Sequence, residues 1–115
     1  MSKEARGLRF RFAADAEIAP ENARHHRTPA RVTEISLRGC FIETSAVFEQ
    51  QRRLFLKIFN DGQYFEAEAA LLYNRTGGMG LLFCEVKAPC RTVLQKWILA
   101  ALHLETEPGD PVTVD

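Results

Sequence analysis

The amino-acid sequence predicts an all-β domain with one C-terminal helix, folded as a six-stranded antiparallel β-barrel. Three observations lead to this prediction. Apolar side chains recur at every second position in six segments, tight-turn signals separate these segments, and near the end the period changes to three and four residues. Short strands joined by tight turns favour a closed barrel, because closure removes exposed sheet edges. A chain of 115 residues has room for one hydrophobic core.

The first half of the chain contains three predicted strands. The first covers residues 8–18, where apolar side chains alternate with mostly charged ones. The second covers residues 27–36, and its Pro29 implies a sheet edge or a bulge, because proline has no N–H to donate. The third is a short apolar strand over residues 40–44.

Three further strands are predicted over residues 53–59, 64–74 and 79–84. Asp61-Gly62 joins the first two as a hairpin turn, because this pair readily adopts positive φ. On the long central strand, the residues expected to share the core face are Phe65, Ala67, Ala69, Leu71 and Tyr73. The phenylalanines expected in the barrel core are Phe10, Phe12, Phe41, Phe55, Phe65 and Phe83.

The segment after Lys87 has the period of an amphipathic helix of about four turns. Pro89 suits its first turn, and Trp97 is expected to anchor the helix on the barrel. Residues 1–104 therefore form the predicted domain. Residues 105–115, which are acidic and contain two prolines, are expected to be a disordered tail.

The charge distribution favours a small anionic ligand. The 15 basic and 15 acidic residues cancel overall, but residues 1–38 carry eight Lys or Arg against five Asp or Glu, a net charge of +3. A nucleic acid polymer usually requires a broadly basic surface, and the long strand presents Glu66 and Glu68 on its polar side. We therefore expect no nucleic acid polymer as a partner.

Composition also argues against membrane insertion, metal binding and catalysis. No apolar run approaches the roughly 18 residues of a membrane span, and the N-terminus lacks the apolar core of a signal peptide, so a cytoplasmic location is expected. The three cysteines form no C-x-x-C pair, and His25-His26 lie far from them in the chain. Cys40 and Cys84 are expected to be small core residues. We predict no metal, no cofactor and no enzymatic activity.

Three features in order carry a family resemblance. Residues 34–39, Glu-Ile-Ser-Leu-Arg-Gly, precede the apolar strand 40–44; residues 78–83, Gly-Met-Gly-Leu-Leu-Phe, form a G-x-G-x-x-F strand; and a helix containing Trp97 follows. Together, over about residues 6–102, these features resemble the PilZ domain family. The resemblance implies a PilZ-like barrel that acts as a binding module.

PilZ domains as a family bind cyclic di-GMP, a bacterial second messenger with two phosphates and two guanines. The resemblance implies that an R-x-x-x-R arginine pair before the first strand and a (D/N)-x-S-x-x-G turn hold the ligand. Guanidinium groups bond phosphate oxygens in pairs and stack on guanine. Serine and a short carboxylate or amide provide hydrogen bonds of fixed reach.

The match to this site is uneven. Ser36 and Gly39 agree with the turn pattern, whereas Glu34 replaces Asp or Asn and moves the carboxylate outward by about 1.5 Å. Arg9 occupies the place of the second arginine, but Ala5 stands where the first is expected. A second R-x-x-x-R, residues 27–31, is a chance match because it lies too close to Glu34. The site residues implied by the resemblance are Arg6, Arg9, Arg11, Glu34, Ser36, Arg38 and Gly39.

Two functions remain open at this point. The first is a receiver or adaptor in bacterial cyclic di-GMP signalling, in which the Arg6–Arg11 leader closes over the nucleotide and the domain signals to a bacterial effector protein. The second is a ligand-independent interaction module, associated with pili or motility, that keeps the fold and does not bind cyclic di-GMP.

Overall fold

The computed structural model describes residues 9–49 and 52–105, with side chains up to residue 102. These residues form six β-strands followed by one α-helix. The elements are β1 (Phe10–Pro20), β2 (Thr28–Ile35), β3 (Gly39–Glu43), β4 (Arg53–Asn60), β5 (Gln63–Arg75), β6 (Gly78–Glu85) and α1 (Ala88–Glu105). Each predicted strand agrees with an observed one to within two residues at either end. Over the described ranges, no helix is long and apolar enough to cross a membrane.

The strands form a closed antiparallel barrel in the order β1-β2-β3-β6-β5-β4, with β4 paired back to β1. The predicted six-stranded barrel is therefore confirmed. The β4–β5 hairpin turns at Asp61 and Gly62, which both have positive φ, 54° and 77°. The β2–β3 ladder begins at the Arg31–Glu43 pair, two residues after Pro29, so Pro29 is paired with Glu17 of β1 and lies beyond the ladder on its β3 side.

The barrel interior is filled by side chains from all six strands, and α1 closes one end of it. Trp97 is almost fully buried; its ring centroid lies 5.4 Å from that of Phe12 and 6.4 Å from that of Phe65. Phe65 also contacts Phe83, at 4.9 Å. The expected role of Trp97 as the anchor of the helix is thus confirmed, and burial of these rings adds to the hydrophobic contribution to folding.

Two bulges on the β5–β6 pair correct the predicted faces of two residues. The register shifts between Leu71 and Tyr73, which turns Tyr73 away from the core face predicted for it. A second shift lies between Glu68 and Ala69, opposite Cys84, whose side chain is exposed. The prediction that Cys84 is a core residue is wrong, because it lies on the outward side of β6, whereas Cys40 is buried as expected.

Three of the six phenylalanines assigned to the core lie elsewhere. Phe12, Phe65 and Phe83 belong to the core cluster or pack against it, but Phe10, Phe41 and Phe55 do not. Phe55 is 6% exposed on the outside of the barrel, where the guanidinium groups of Arg24 and Arg27 cover its ring at 4.8 and 5.3 Å. The outer wall therefore carries aromatic clusters of its own.

Candidate functional site

The Ser36–Gly39 turn is organised by the serine hydroxyl. Ser36 Oγ accepts hydrogen bonds from the backbone N–H groups of Arg38 and Gly39, at 3.1 and 3.2 Å. The backbone N–H of Ser36 donates to the Gly39 carbonyl at 2.9 Å. A second anchor is the N–H of Phe83 on β6, which donates to the Arg38 carbonyl at 2.7 Å. Ser36 thus fixes the loop that presents the Arg38 side chain.

Gly39 permits a close contact between two strands. A Cβ placed on this glycine would overlap the backbone carbonyl oxygen of Leu81 on β6. Its φ is not positive, so the need for glycine here is steric and not conformational. The glycine that the turn motif requires therefore has a structural role here, because it lets β6 approach β3.

A surface pocket of about 200 Å³ lies at this turn. Its lining combines two arginines, the turn, and apolar groups from β5 and β6: Arg9, Ser36, Arg38, Gly39, Cys40, Leu72, Tyr73, Gly80, Leu81 and Leu82. We call this region the motif corner. Pockets that enclose a small molecule usually measure about 300–1,000 Å³, so the motif corner is an open pocket that would enclose only part of a larger ligand.

Arg9 stands at the entrance of the motif corner and contacts Glu34. Its guanidinium Nη1 lies 3.1 Å from Glu34 Oε1, and both side chains are about half exposed. The hydrogen bond to Glu34 raises the pKa of Arg9, with smaller contributions from Tyr73 against a small opposing effect of burial. Arg9 therefore remains a full cation at any physiological pH. An exposed pair of this kind contributes at most about 1 kcal/mol to stability.

The structure brings together four of the seven predicted site residues. Arg9, Ser36, Arg38 and Gly39 line the pocket, and Glu34 adjoins it through its ion pair with Arg9. Arg11 is exposed and stands opposite Glu34 in the β1–β2 register, outside the pocket lining. Arg6 lies outside the described residues.

Sequence reasoning missed the contribution of β5 to the site. Tyr73 and Leu72 line the pocket because the bulge between Leu71 and Tyr73 directs the tyrosine outward. A Cβ on Gly80 would overlap the Tyr73 ring, so the ring lies across this glycine. The G-x-G spacing was visible in the sequence, but which ring crosses it depends on the register between two strands, which one sequence does not reveal.

A second arginine cluster lies around Phe55, where the turn between β1 and β2 meets β4 and β5. We call it the Phe55 cluster; it consists of Arg24, Arg27, Arg53, Phe55, Glu17 and Glu68. Glu68 pairs with Arg24 at 3.4 Å and with Arg53 at 3.2 Å, and Glu17 pairs with Arg27 at 3.0 Å. A neighbouring pocket of about 310 Å³ is lined by Arg24, Phe55, Glu66, Ala67, Glu68, Glu85, Lys87 and Cys90. Its three carboxylates make it unfavourable for an anion.

Solved structures with this fold include the PilZ domain of YcgR from Escherichia coli with cyclic di-GMP, at 13% identity over 90% of this chain and 95% of that one, with a TM-score of 0.68. The motility inhibitor MotI/DgrA from Bacillus subtilis gives 22% identity over 84% of this chain and a TM-score of 0.67, and the chain spans half of that protein. The PilZ domain of CeSA from a cellulose-synthesizing bacterium gives 13% sequence identity over 85% of this chain and 98% of that one, with a TM-score of 0.63.

A search of curated proteins found no significant match. The sequence model of the PilZ domain, in contrast, matches residues 3–100, which is most of the chain. This match covers every strand of the barrel and most of the helix that closes it. The protein therefore belongs to the PilZ domain family.

Proposed function

We propose that this chain is a cytoplasmic bacterial receiver for cyclic di-GMP, a binding module and not an enzyme, whose motif corner holds the nucleotide. The observation that supports the proposal is the convergence of Arg9, Arg38 and the Ser36–Gly39 turn on one open pocket. Guanidinium groups that flank a rigid turn suit phosphate oxygens. Among proteins of the same fold, YcgR was solved with cyclic di-GMP.

The mechanism we propose is closure of the arginine leader. Arg9 already stands at the entrance of the pocket, at the start of β1. In this mechanism, the residues before it, including Arg6, close over the nucleotide, and Arg9 exchanges Glu34 for a phosphate oxygen. Arg11 adds positive charge from the outer face of β1. The altered surface then binds an effector protein, and the ligand shifts the population between two states of the domain.

Ala5 sets the expected strength of binding. One charged hydrogen bond to phosphate contributes about 1.5–3 kcal/mol net. The absence of an arginine at this position should therefore weaken binding by about one to two orders of magnitude. Ala5→Arg restores the R-x-x-x-R spacing with Arg9, and we expect it to tighten binding by a similar factor.

Isothermal titration calorimetry with cyclic di-GMP tests the proposal. We expect measurable affinity for the unmodified chain, at least a tenfold loss in Arg9→Ala, and a gain in Ala5→Arg. Arg24→Ala is the matched control, because it removes the same charge outside the motif corner. Glu68 still pairs with Arg53, and Arg27 still covers the Phe55 ring. No heat at several hundred micromolar protein, in both the unmodified chain and Ala5→Arg, would reject the receiver function.

The alternative is a ligand-independent interaction module, and exposed leucines favour it. Leu37 in the turn and Leu99 on α1 are 60% and 64% exposed, so both side chains are accessible to a partner. In this case Arg9→Ala leaves capture of the effector protein unchanged, whereas Leu99→Asp abolishes it. Once an effector protein has been identified, a pull-down of that effector with both variants distinguishes the two functions.

A further inference from the structure

An aromatic platform with an arginine on top of it continues the motif corner across β6. The guanidinium carbon of Arg75 lies 5.0 Å from the Phe41 ring centroid and 5.3 Å from that of Tyr73. The two rings are 6.3 Å apart and inclined by 24°, so they lie side by side. We call Phe41, Tyr73 and Arg75 the Arg75 platform.

The G-x-G segment of β6 makes room for these rings. A Cβ on Gly78 would lie 2.8 Å from the end of the Phe41 ring, and one on Gly80 would overlap the Tyr73 ring. The rings come from β3 and β5, the two neighbours of β6 in the barrel. The absence of side chains at Gly78 and Gly80 therefore allows two aromatic residues from different strands to form one surface.

Among the residues that the structure describes, no acidic side chain forms an ion pair with Arg75 of the platform. Among the described residues, the ion pairs involve Arg9, Arg24, Arg27, Arg31, Arg53 and Lys57, and neither Arg38 nor Arg75 is among them. Arg75 is exposed, and its contacts are with aromatic faces, which leave its N–H donors available.

Tyr73 connects the platform to the pocket. It lines the motif corner together with Arg9 and Arg38. Arg75 follows on the same strand, two residues later. A ligand that occupies the pocket and is larger than its volume of about 200 Å³ therefore extends toward Arg75.

We propose that the Arg75 platform binds one guanine base of the nucleotide held at the motif corner, an inference that rests on the proposed function. The fork of an arginine matches the O6 and N7 acceptors of guanine, whereas adenine presents an amino donor in place of O6. The two rings hold the guanidinium in place by cation–π attraction. Arg75 is then the residue that selects guanine, and its hydrogen bonds to the base partly compensate for the alanine at position 5.

Titration of the full chain with cyclic di-GMP and cyclic di-AMP tests this inference, because the two ligands share their phosphates and differ in the base. We expect Arg75→Ala to weaken cyclic di-GMP binding by about tenfold and to reduce the preference over cyclic di-AMP. Arg75→Lys keeps the charge but loses the fork, so its loss should approach that of Arg75→Ala. Tyr73→Leu should produce a smaller loss of the same kind, and Arg24→Ala should stay within twofold of the unmodified chain.

Two results would overturn the inference. Arg75→Lys binding like the unmodified chain, or Arg75→Ala weakening both ligands equally, would assign Arg75 a general electrostatic effect. Failure of this inference differs from failure of the proposed function. In the first case Arg9→Ala still reduces cyclic di-GMP binding, while the Arg75 variants show no loss that is specific to guanine; in the second the unmodified chain and Ala5→Arg both bind no cyclic di-GMP.

Discussion

The motif corner and the Phe55 cluster use similar residues for different ends. Arginine guanidinium groups lie over aromatic rings in both regions: Arg24 covers Phe55, and in the Arg75 platform, which adjoins the motif corner, Arg75 covers Phe41 and Tyr73. In the Phe55 cluster each arginine also has a carboxylate partner. Among the described residues of the motif corner and the adjoining Arg75 platform, Glu34 pairs with Arg9, while Arg38 and Arg75 form no ion pair.

The difference shows that the number of arginines does not identify an anion site. Arg24, Arg27 and Arg53 contribute positive charge that Glu17 and Glu68 cancel locally, so they act to hold the β1–β2 turn on the barrel wall. The motif corner combines Arg38, which forms no ion pair among the described residues, with Arg9, a rigid turn and glycines that keep the surface open. Whether an arginine has a carboxylate partner therefore distinguishes an arginine that is available to a ligand from one that holds the structure together.

The largest expected difference between the two regions is in cysteine reactivity. Cys40 lines the motif corner and Cys90 lines the pocket beside the Phe55 cluster. Burial of Cys40 raises the pKa of its thiol to about 12, against an ordinary value of 9.0. At pH 8 its thiolate population is therefore lower by about a thousandfold. We expect iodoacetamide to modify Cys90 and the exposed Cys84 well before Cys40, as measured by peptide mass spectrometry.

The same burial fixes the sign of a pH effect. Because the folded-state pKa of Cys40 is raised, its contribution to stability is complete below the unfolded pKa near 9 and is lost as pH rises toward about 12. The free energy of unfolding should therefore fall over that range, and less so in Cys40→Ala. In the labelling experiment, modification of Cys40 by iodoacetamide as fast as that of Cys84 would show that Cys40 is not packed tightly beneath the pocket.

Gly39→Ala, a substitution within the motif corner, should produce the next largest effect, a loss of stability. The new Cβ would overlap the Leu81 carbonyl oxygen, so β3 and β6 must separate. We expect a loss of about 3 kcal/mol in the free energy of unfolding by urea. Gly62→Ala is the matched control. It meets no atom within 4 Å but has φ +77°, so we expect a loss of about 1 kcal/mol from backbone strain. Equal losses in the two variants would show that the β3–β6 approach is not close.

Much of the fold could be predicted because local patterns determine it. The period-two alternation of β1, the Asp61-Gly62 turn and the period of α1 each depend on residues that are neighbours in the chain. The Ser36–Gly39 turn is equally local, since its hydrogen bonds join residues at most three apart. Its motif could therefore be recognised from the sequence.

The errors share one physical cause, which is that they depend on contacts between segments distant in the chain. A single extra residue at the β5–β6 bulge turned Tyr73 outward and brought it into the site. Phe55 was assigned to the core because its strand is apolar on both faces, and it is buried on the outer side only because arginines from another turn cover it. Such contacts between distant segments have no signature in one sequence.

Glu68→Gln tests whether unpaired arginines alone are sufficient to bind an anion. The change leaves Arg24 and Arg53 without their carboxylate, so we expect a stability loss of about 1 kcal/mol or less, because such pairs are partly exposed. The region contains no equivalent of the Ser36–Gly39 turn. We therefore expect calorimetry with cyclic di-GMP to show no additional binding site. A second binding event in this variant would show that charge, without the turn, makes the site.

Glu34→Gln should have the smallest effect, and it bears directly on the ion pair within the motif corner. Glu34 competes with a ligand phosphate for Arg9, at a contact of 3.1 Å between half-exposed groups. Removing its charge should tighten cyclic di-GMP binding by about two- to fivefold, since such a pair is worth about 1 kcal/mol or less. Glu21→Gln, in the turn at the far end of β1, removes the same charge and should change little. A loss of affinity in Glu34→Gln would instead mean that the carboxylate contacts the nucleotide, as the shorter Asp or Asn of the motif is expected to do. Glu34 would then count among the binding residues of the motif corner, and Arg9 would be held in place by it.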